Sequence, residues 1–232
     1  MDEDVQAAAA RLVRRLKEGG HTITVAESCT GGLLASAFTD IAGASQWFNQ
    51  SWVTYSNEAK ITELGVSADL LEKKGAVSAG VAMAMAQGAV KRAKASIAIS
   101  ITGIAGPSND GTNKKVGMVY VGIASSTNWA NAESTQIGGN RAENKIAFVH
   151  FALLTAIKYW DKAMADAEVA RKEEEARIAA ENNAKLIFEE ERAKREAEAK
   201  ESDPWQEDPQ DGNNNSSRPK ESISSEVNWD KE

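Results

Sequence analysis

Three short polar segments carry the residues of this sequence that could do chemistry. The first is ESCTGG (27–32), which follows the β-prone run HTITVA and precedes residues of helical composition. A strand end, a turn of small residues and a helix start leave backbone N–H groups free to bind an anion or a developing oxyanion. Ser28, Cys29 and Thr30 are all candidate nucleophiles there. The alternative is a simple helix cap, because Ser or Thr before a helix usually satisfies free backbone donors.

The second segment is YSNEAK (55–60), in which Lys60 lies one turn into a predicted helix. A lysine in a desolvated pocket has a lowered pKa and can act as a general base. Such a lysine could take the proton of a serine hydroxyl, as in Ser-Lys variants of the nucleophile–base pair. The alternative is an ordinary exposed lysine on a helix.

The third segment is TGIAGP (102–107), which follows the most apolar predicted strand, residues 97–101. In an open α/β sheet, ligands bind beyond the carboxyl ends of the strands. Gly103 and Gly106 would let the backbone approach a ligand closely. The alternative is a glycine loop without a ligand.

Composition excludes several classes of protein. Residues 1–160 carry 15 Lys and Arg against 13 Asp and Glu, whereas residues 161–232 carry 12 against 21, for a net charge of −7. A general nucleic-acid binder would need a basic field. The one cysteine and two distant histidines predict no disulfide and no metal site. We expect a cytoplasmic protein without membrane contact, because apolar runs are short and the acidic N-terminus lacks a secretory pattern.

Helical and strand patterns alternate along the first 160 residues. We therefore predict a three-layer α/β/α domain, whose sheet is mixed because its last two strands form an antiparallel hairpin. The predicted strands are residues 21–26, 46–55, 97–101, 116–124 and 129–137. The predicted helices are residues 5–18, 33–41, 58–64, 68–74, 79–94 and 141–159.

Composition divides the chain into three predicted regions: a domain over 1–160, a charged helix over 161–200, and an acidic tail over 201–232. The helix carries favourable i,i+4 pairs such as Glu191 and Arg195, and its apolar positions do not sustain a coiled-coil heptad. The tail has the composition of a disordered segment. Its isolated Trp205 and Trp229 are weak candidates for docking a protein partner.

Five motifs together resemble the CinA C-terminal domain family over roughly residues 5–160. They are VAESCTGG (25–32), DIAGAS (40–45), VTYSNEAK (53–60), GAVS (75–78) and SITGIAGP (100–107). The resemblance implies an amidase that hydrolyses the carboxamide of nicotinamide mononucleotide to nicotinic acid mononucleotide and ammonia. It also implies an α/β/α domain that forms homo-oligomers and needs neither a metal nor a cofactor.

The motifs also imply roles for individual residues. Ser28 matches the family's nucleophile, which ranks Cys29 lower, and Lys60 matches its base. Tyr55 would assist proton transfer or hold the substrate, and Arg141 is the expected phosphate contact. The resemblance implies a helix N-terminus supplied by Thr30, Gly31 and Gly32. It implies a nucleotide side lined by Thr102, Gly103, Gly106 and Pro107.

Two other hypotheses stay open on the sequence alone. The chain could be a non-catalytic nucleotide-binding module that acts through a protein partner held by the tail. The charged helix could instead serve as a scaffold. The amidase and the binding module would both take a small-molecule nucleotide, and only the amidase needs the serine and lysine to meet.

Overall fold

The computed structural model describes residues 2–109, 111 and 113–201. The described chain forms helices, strands and a short 3₁₀ helix at Ala44–Gln46. The α-helices are α1 (Glu3–Glu18), α2 (Leu33–Thr39), α3 (Asn57–Leu64), α4 (Ala68–Lys74), α5 (Ala79–Ala93) and α6 (Arg141–Glu201). The strands are β1 (Ile23–Glu27), β2 (Phe48–Val53), β3 (Ile97–Gly103), β4 (Met118–Ser125) and β5 (Ala130–Gln136).

The strands form one mixed sheet in the order β2-β1-β3-β4-β5. β1 runs parallel to both of its neighbours, with Glu27 opposite Val53 on β2 and Ile101 on β3. β4 runs antiparallel to both of its neighbours, β3 and β5. The carboxyl ends of β1, β2 and β3 therefore meet at one edge of the sheet, where ligands bind in open α/β folds.

Helices cover both faces of the sheet. One core lies between the sheet and helices α1, α2 and the first part of α6, and its residues include Leu12, Phe38 and Phe148. A second core lies between the sheet and helices α3, α4 and α5, with Leu64 and Met85 among its residues. This arrangement confirms the predicted three-layer α/β/α fold.

Several boundaries differ from those predicted. β2 is shorter than residues 46–55 because its first predicted residue belongs to the 3₁₀ helix. β3 continues to Gly103 because Thr102 and Gly103 pair with β4. The predicted helices over 141–159 and 161–200 are one continuous helix, α6. No Pro or Gly occurs in this stretch to end it.

Contacts divide the chain into two compact units, Met1–Arg171 and Lys172–Glu232. In the second unit, residues 172–200 are helical and exposed, and Glu191 and Arg195 approach to 3.8 Å. The domain boundaries at 160 and 200 stay predictions. The tail with Trp205 and Trp229 lies outside the described residues. Within the described part of the chain, no helix combines the length and apolarity needed to span a membrane.

Gly88 sets the distance between α5 and α3, the helix that carries Lys60. A Cβ at position 88 would lie 1.9 Å from the carbonyl oxygen of Leu64, the last residue of α3. Because that neighbour is backbone, a side chain could be accommodated only by moving α3 away from α5. The close contact of these two helices therefore requires glycine here.

Replacing Gly88 by alanine should destabilise the domain although alanine favours helices. We expect the free energy of unfolding to fall by about 1–3 kcal/mol, the usual range for an overpacked core. Denaturant unfolding would measure it. Gly138→Ala is the control, because nothing lies within 4 Å of its added Cβ. Stability of the Gly88 variant equal to that of the control would show that α3 moves freely.

Candidate active site

Ser28 directly follows β1 at the edge of the sheet where the three strand ends meet. Its backbone N–H donates to the carbonyl of Ile101 on β3 (3.0 Å), and its carbonyl accepts from the N–H of Gly31 (3.1 Å). These bonds fix the turn on both sides of the residue. The serine side chain is therefore presented from a rigid backbone, and the residue is nearly buried, with 9% of its surface exposed.

Lys60 is a buried lysine whose amine meets the Ser28 hydroxyl. Ser56, four residues before Lys60, caps α3 by accepting from the N–H of Ala59 (3.0 Å). Only 1% of the Lys60 surface is exposed, and its Nζ lies 3.3 Å from Ser28 Oγ. The structure thus brings together the two residues that the sequence paired, and it excludes the exposed-lysine alternative.

Backbone carbonyls surround the rest of the Lys60 amine. Nζ lies 2.9 Å from the carbonyl oxygen of Thr54 and 3.3 Å from that of Tyr55, with the Ser56 oxygen at 3.5 Å. A neutral amine has two N–H donors and one lone pair. It can donate to the first two carbonyls and accept the Ser28 hydroxyl proton. Burial lowers the pKa of Lys60, because it disfavours the charged form.

Cys29, the competing nucleophile, is buried. Desolvation raises the pKa of its thiol to about 12, so that the reactive thiolate is scarce at neutral pH. The thiol is one of the apolar groups of the core that includes α2. Its environment therefore favours packing over nucleophilic chemistry.

Glu27 binds most of the backbone N–H groups at the start of α2, where the sequence predicted a ligand. Its fully buried carboxylate accepts from the backbone N–H groups of Gly32 (3.0 Å), Leu34 (3.1 Å) and Ala35 (2.8 Å). The N–H of Gly31 is bonded to Ser28. The expected anion site at the start of α2 is thus largely filled by the protein's own carboxylate, which the sequence analysis had not singled out.

A few donors of the turn stay available. Within the described residues, the backbone N–H groups of Thr30 and Leu33 have no hydrogen-bond partner. The buried Thr30 hydroxyl also lacks one. Buried polar groups are rarely left unpaired in a native protein, so an unpaired donor beside the serine suits a bound ligand. Thr30 is therefore the member of the predicted Thr-Gly-Gly set that keeps free donors.

Tyr55 and Arg141 meet beside the third segment. The guanidinium of Arg141 donates to the Tyr55 hydroxyl (2.8 Å) and to the carbonyl of Gly106. Asn144, one turn further along α6, donates to the carbonyls of Ala105 (3.0 Å) and Gly139. The start of α6 is therefore held against the loop after β3. Arg141, the predicted phosphate contact, faces this loop.

The other predicted lining residues have packing partners. The Thr102 hydroxyl donates to the carbonyl of Ala76 (2.9 Å) and is buried. A Cβ at Gly103 would lie 2.7 Å from the Met118 carbonyl, so its glycine allows β3 and β4 to pair closely. Pro107 is exposed next to Gly106. Contact of these four residues with a nucleotide stays a prediction.

Lys145 is a residue near the site that the sequence analysis missed. Its Nζ lies 3.7 Å from the position that a Cβ on Gly31 would occupy. The available signal was its spacing of four residues from Arg141, which puts both side chains on one face of a helix. Among the described residues, no group of His, Cys, Asp and Glu side chains could hold a metal.

The family model for the CinA C-terminal domain matches residues 5–160 of the chain. A protein from Enterobacter agglomerans called nicotinamide-nucleotide amidohydrolase PncC is 45% identical over 63% of this chain and 90% of its own length. The PncC protein of Escherichia coli K12 is 41% identical over 66% of this chain and 93% of its own. A putative competence-damage inducible protein of Caldicellulosiruptor saccharolyticus is 46% identical, but the chain covers only 36% of its length.

A solved structure shows the same fold. The competence/damage inducible protein CihA from Agrobacterium tumefaciens superposes with a TM-score of 0.66 at 37% identity, over 68% of this chain and 96% of that one. Residues 5–160, which the family model matches, contain the sheet and the Ser28–Lys60 pair. The chain belongs to the CinA C-terminal domain family.

Proposed function

We propose that this protein is an amidohydrolase that converts nicotinamide mononucleotide to nicotinic acid mononucleotide and ammonia, with Ser28 as nucleophile and Lys60 as base. The observation that carries the proposal is the buried Lys60 amine 3.3 Å from the Ser28 hydroxyl. The relatives named nicotinamide-nucleotide amidohydrolase, which the chain matches over at least 90% of their length, supply the substrate.

The reaction begins with the transfer of the Ser28 hydroxyl proton to the neutral amine of Lys60. Ser28 Oγ attacks the carboxamide carbon, and the carbonyl oxygen becomes an oxyanion. The free N–H of Thr30 is the candidate donor to it, and such a donor is worth about 3 kcal/mol in comparable sites. Lys60 then gives its proton to the amide nitrogen as the C–N bond breaks, which releases ammonia and leaves an ester on Ser28.

Water completes the cycle. A water molecule loses a proton to the again neutral Lys60 and attacks the ester carbon. The bond to Ser28 Oγ breaks, Lys60 returns the proton to this oxygen, and the carboxylate product leaves. Tyr55 would hold the substrate through its hydroxyl, which accepts from Arg141; the residue as a whole is 61% exposed.

The non-catalytic binding hypothesis has less support. A module that only binds a nucleotide would have no use for a desolvated amine held against a serine hydroxyl, because burying the amine has a free-energy cost. Homo-oligomerisation, a cytoplasmic location and a protein partner for the tail stay predictions.

Removing either member of the pair should lower turnover strongly. We expect Ser28→Ala to lower kcat by more than about a thousandfold, and Lys60→Met to lower it by about 10²–10⁴-fold through loss of the base. Ammonia release from nicotinamide mononucleotide would measure both. The exposed Ser67→Ala and Lys73→Met are matched controls. Substantial turnover by either site variant would refute this mechanism.

The pH dependence of turnover should report the lysine. Activity requires the neutral amine, so kcat/KM should rise with pH and level off. Because burial lowers the pKa of Lys60, the plateau should begin at a lower pH than for an exposed lysine, whose pKa is about 10.4. A profile that still rises steeply beyond that value would contradict a desolvated base.

Glu27 should affect kcat without touching the substrate. In Glu27→Gln the amide can still accept hydrogen bonds through its oxygen, but its NH₂ group would face a backbone N–H of the α2 N-terminus. We expect the turn to shift and kcat to fall by about a hundredfold or less, as for small misplacements of reacting groups, while KM changes little. Steady-state kinetics with circular dichroism as a folding control would test this. Unchanged kcat in a folded variant would remove the positioning role.

A further inference from the structure

Lys145 brings a positive charge to the turn that carries the proposed nucleophile. Its Nζ lies 3.7 Å from where a Cβ on Gly31 would be, and the residue is half-buried on α6. The turn itself is rigid, since the Gly31 N–H donates to the Ser28 carbonyl. The lysine therefore lies next to the reacting region rather than in open solvent.

The charge of Lys145 has no counter-charge in contact with it in the described part of the chain. Within the described residues, it takes part in no hydrogen bond and no ion pair. The Glu27 carboxylate near the same turn is occupied by three backbone N–H groups. The Glu143 carboxylate accepts from the Asn140 N–H (2.9 Å) and caps the start of α6. A half-buried cation without a carboxylate partner suits an anionic ligand.

A second cation lies on the same face of α6. Arg141 precedes Lys145 by four residues, so their Cβ atoms are about 5–6 Å apart. Tyr55 and the Gly106 carbonyl orient the Arg141 guanidinium, and they occupy only part of its five N–H donors. One oriented guanidinium and one adaptable ammonium together match the charge and the several oxygens of a phosphate monoester.

We propose that Lys145 is a specificity-determining residue that, with Arg141, binds the 5′-phosphate of a pyridine mononucleotide and selects it over the corresponding nucleoside. The inference rests on the proposed function. The pyridinium ring of nicotinamide riboside is positively charged, so two nearby cations repel the nucleoside. In the mononucleotide, the phosphate makes the net charge of the molecule negative. The same two residues therefore attract one substrate and oppose the other.

Kinetics on the full chain test the proposal. In Lys145→Met we expect KM for nicotinamide mononucleotide to rise about tenfold to a hundredfold, in line with loss of a charge-assisted hydrogen bond, with kcat within about threefold. Turnover of nicotinamide riboside should not fall. Lys145→Arg should retain most of the mononucleotide affinity. Lys162→Met, the same charge change on an exposed part of α6, is the control and should match the wild type.

Several kinetic outcomes would overturn the proposal. An unchanged KM in Lys145→Met would show that the ammonium does not contact the phosphate. A fall in kcat with constant KM would assign Lys145 to the chemistry instead. An equal KM increase in the Lys162 control would indicate that the overall positive charge of the helix, and not a contact between Lys145 and the phosphate, determines KM.

Calorimetry separates failure of this inference from failure of the proposed function. Nicotinic acid mononucleotide is titrated into wild type and Lys145→Met at two salt concentrations. Weaker, less salt-dependent binding by the variant supports the phosphate contact, even if the wild type releases no ammonia and the amidase proposal fails. Equal binding by both proteins, or no binding by the wild type, overturns it.

Discussion

The amine of Lys60 is the contact on which the site depends, because it joins three separate segments of the chain. The lysine belongs to α3. Its amine contacts the Ser28 hydroxyl in the turn after β1 and the carbonyls of Thr54 and Tyr55 after β2. A buried amine is costly unless its hydrogen bonds are satisfied. The carbonyls meet that need and also hold the two strand ends against the helix. The same bonds that make burial tolerable thus orient the amine toward the serine hydroxyl.

Glu27 and the α6 N-terminus complete the frame around this amine. The Glu27 carboxylate compensates the free donors at the start of α2, which leaves only a few backbone N–H groups for a ligand. Asn140 and Glu143 cap α6 reciprocally, and Asn144 ties the helix to the loop after β3. Both carboxylates are therefore occupied by backbone N–H groups, whereas the Arg141 and Lys145 cations have no carboxylate partner among the described residues.

Much of the fold followed from local patterns. The apolar periodicity of α1 and the β-branched run of β3 predicted their elements, and the alternation of helices and strands predicted the layers. The errors fell at the ends of elements, where pairing partners decide the length. β3 runs on to Gly103 because β4 lies beside it, and that neighbour is invisible to a local pattern. Residues 141–159 and 161–200 were predicted as two elements because their composition differs, although no residue between them interrupts the helix.

The sequence by itself determined which reactive groups exist and that they follow strand ends. It singled out Ser28, Lys60, Tyr55 and Arg141 as candidate site residues, because motif and spacing are local properties of the chain. Tertiary structure alone decided that Lys60 is buried, that Glu27 fills the helix N-terminus, and that Lys145 lies beside Gly31. Each of these facts depends on which distant segments exclude water from a side chain or supply its hydrogen bonds. Desolvation and hydrogen-bond satisfaction are set by neighbours in space, and those neighbours exist only once the sheet and its helices have packed.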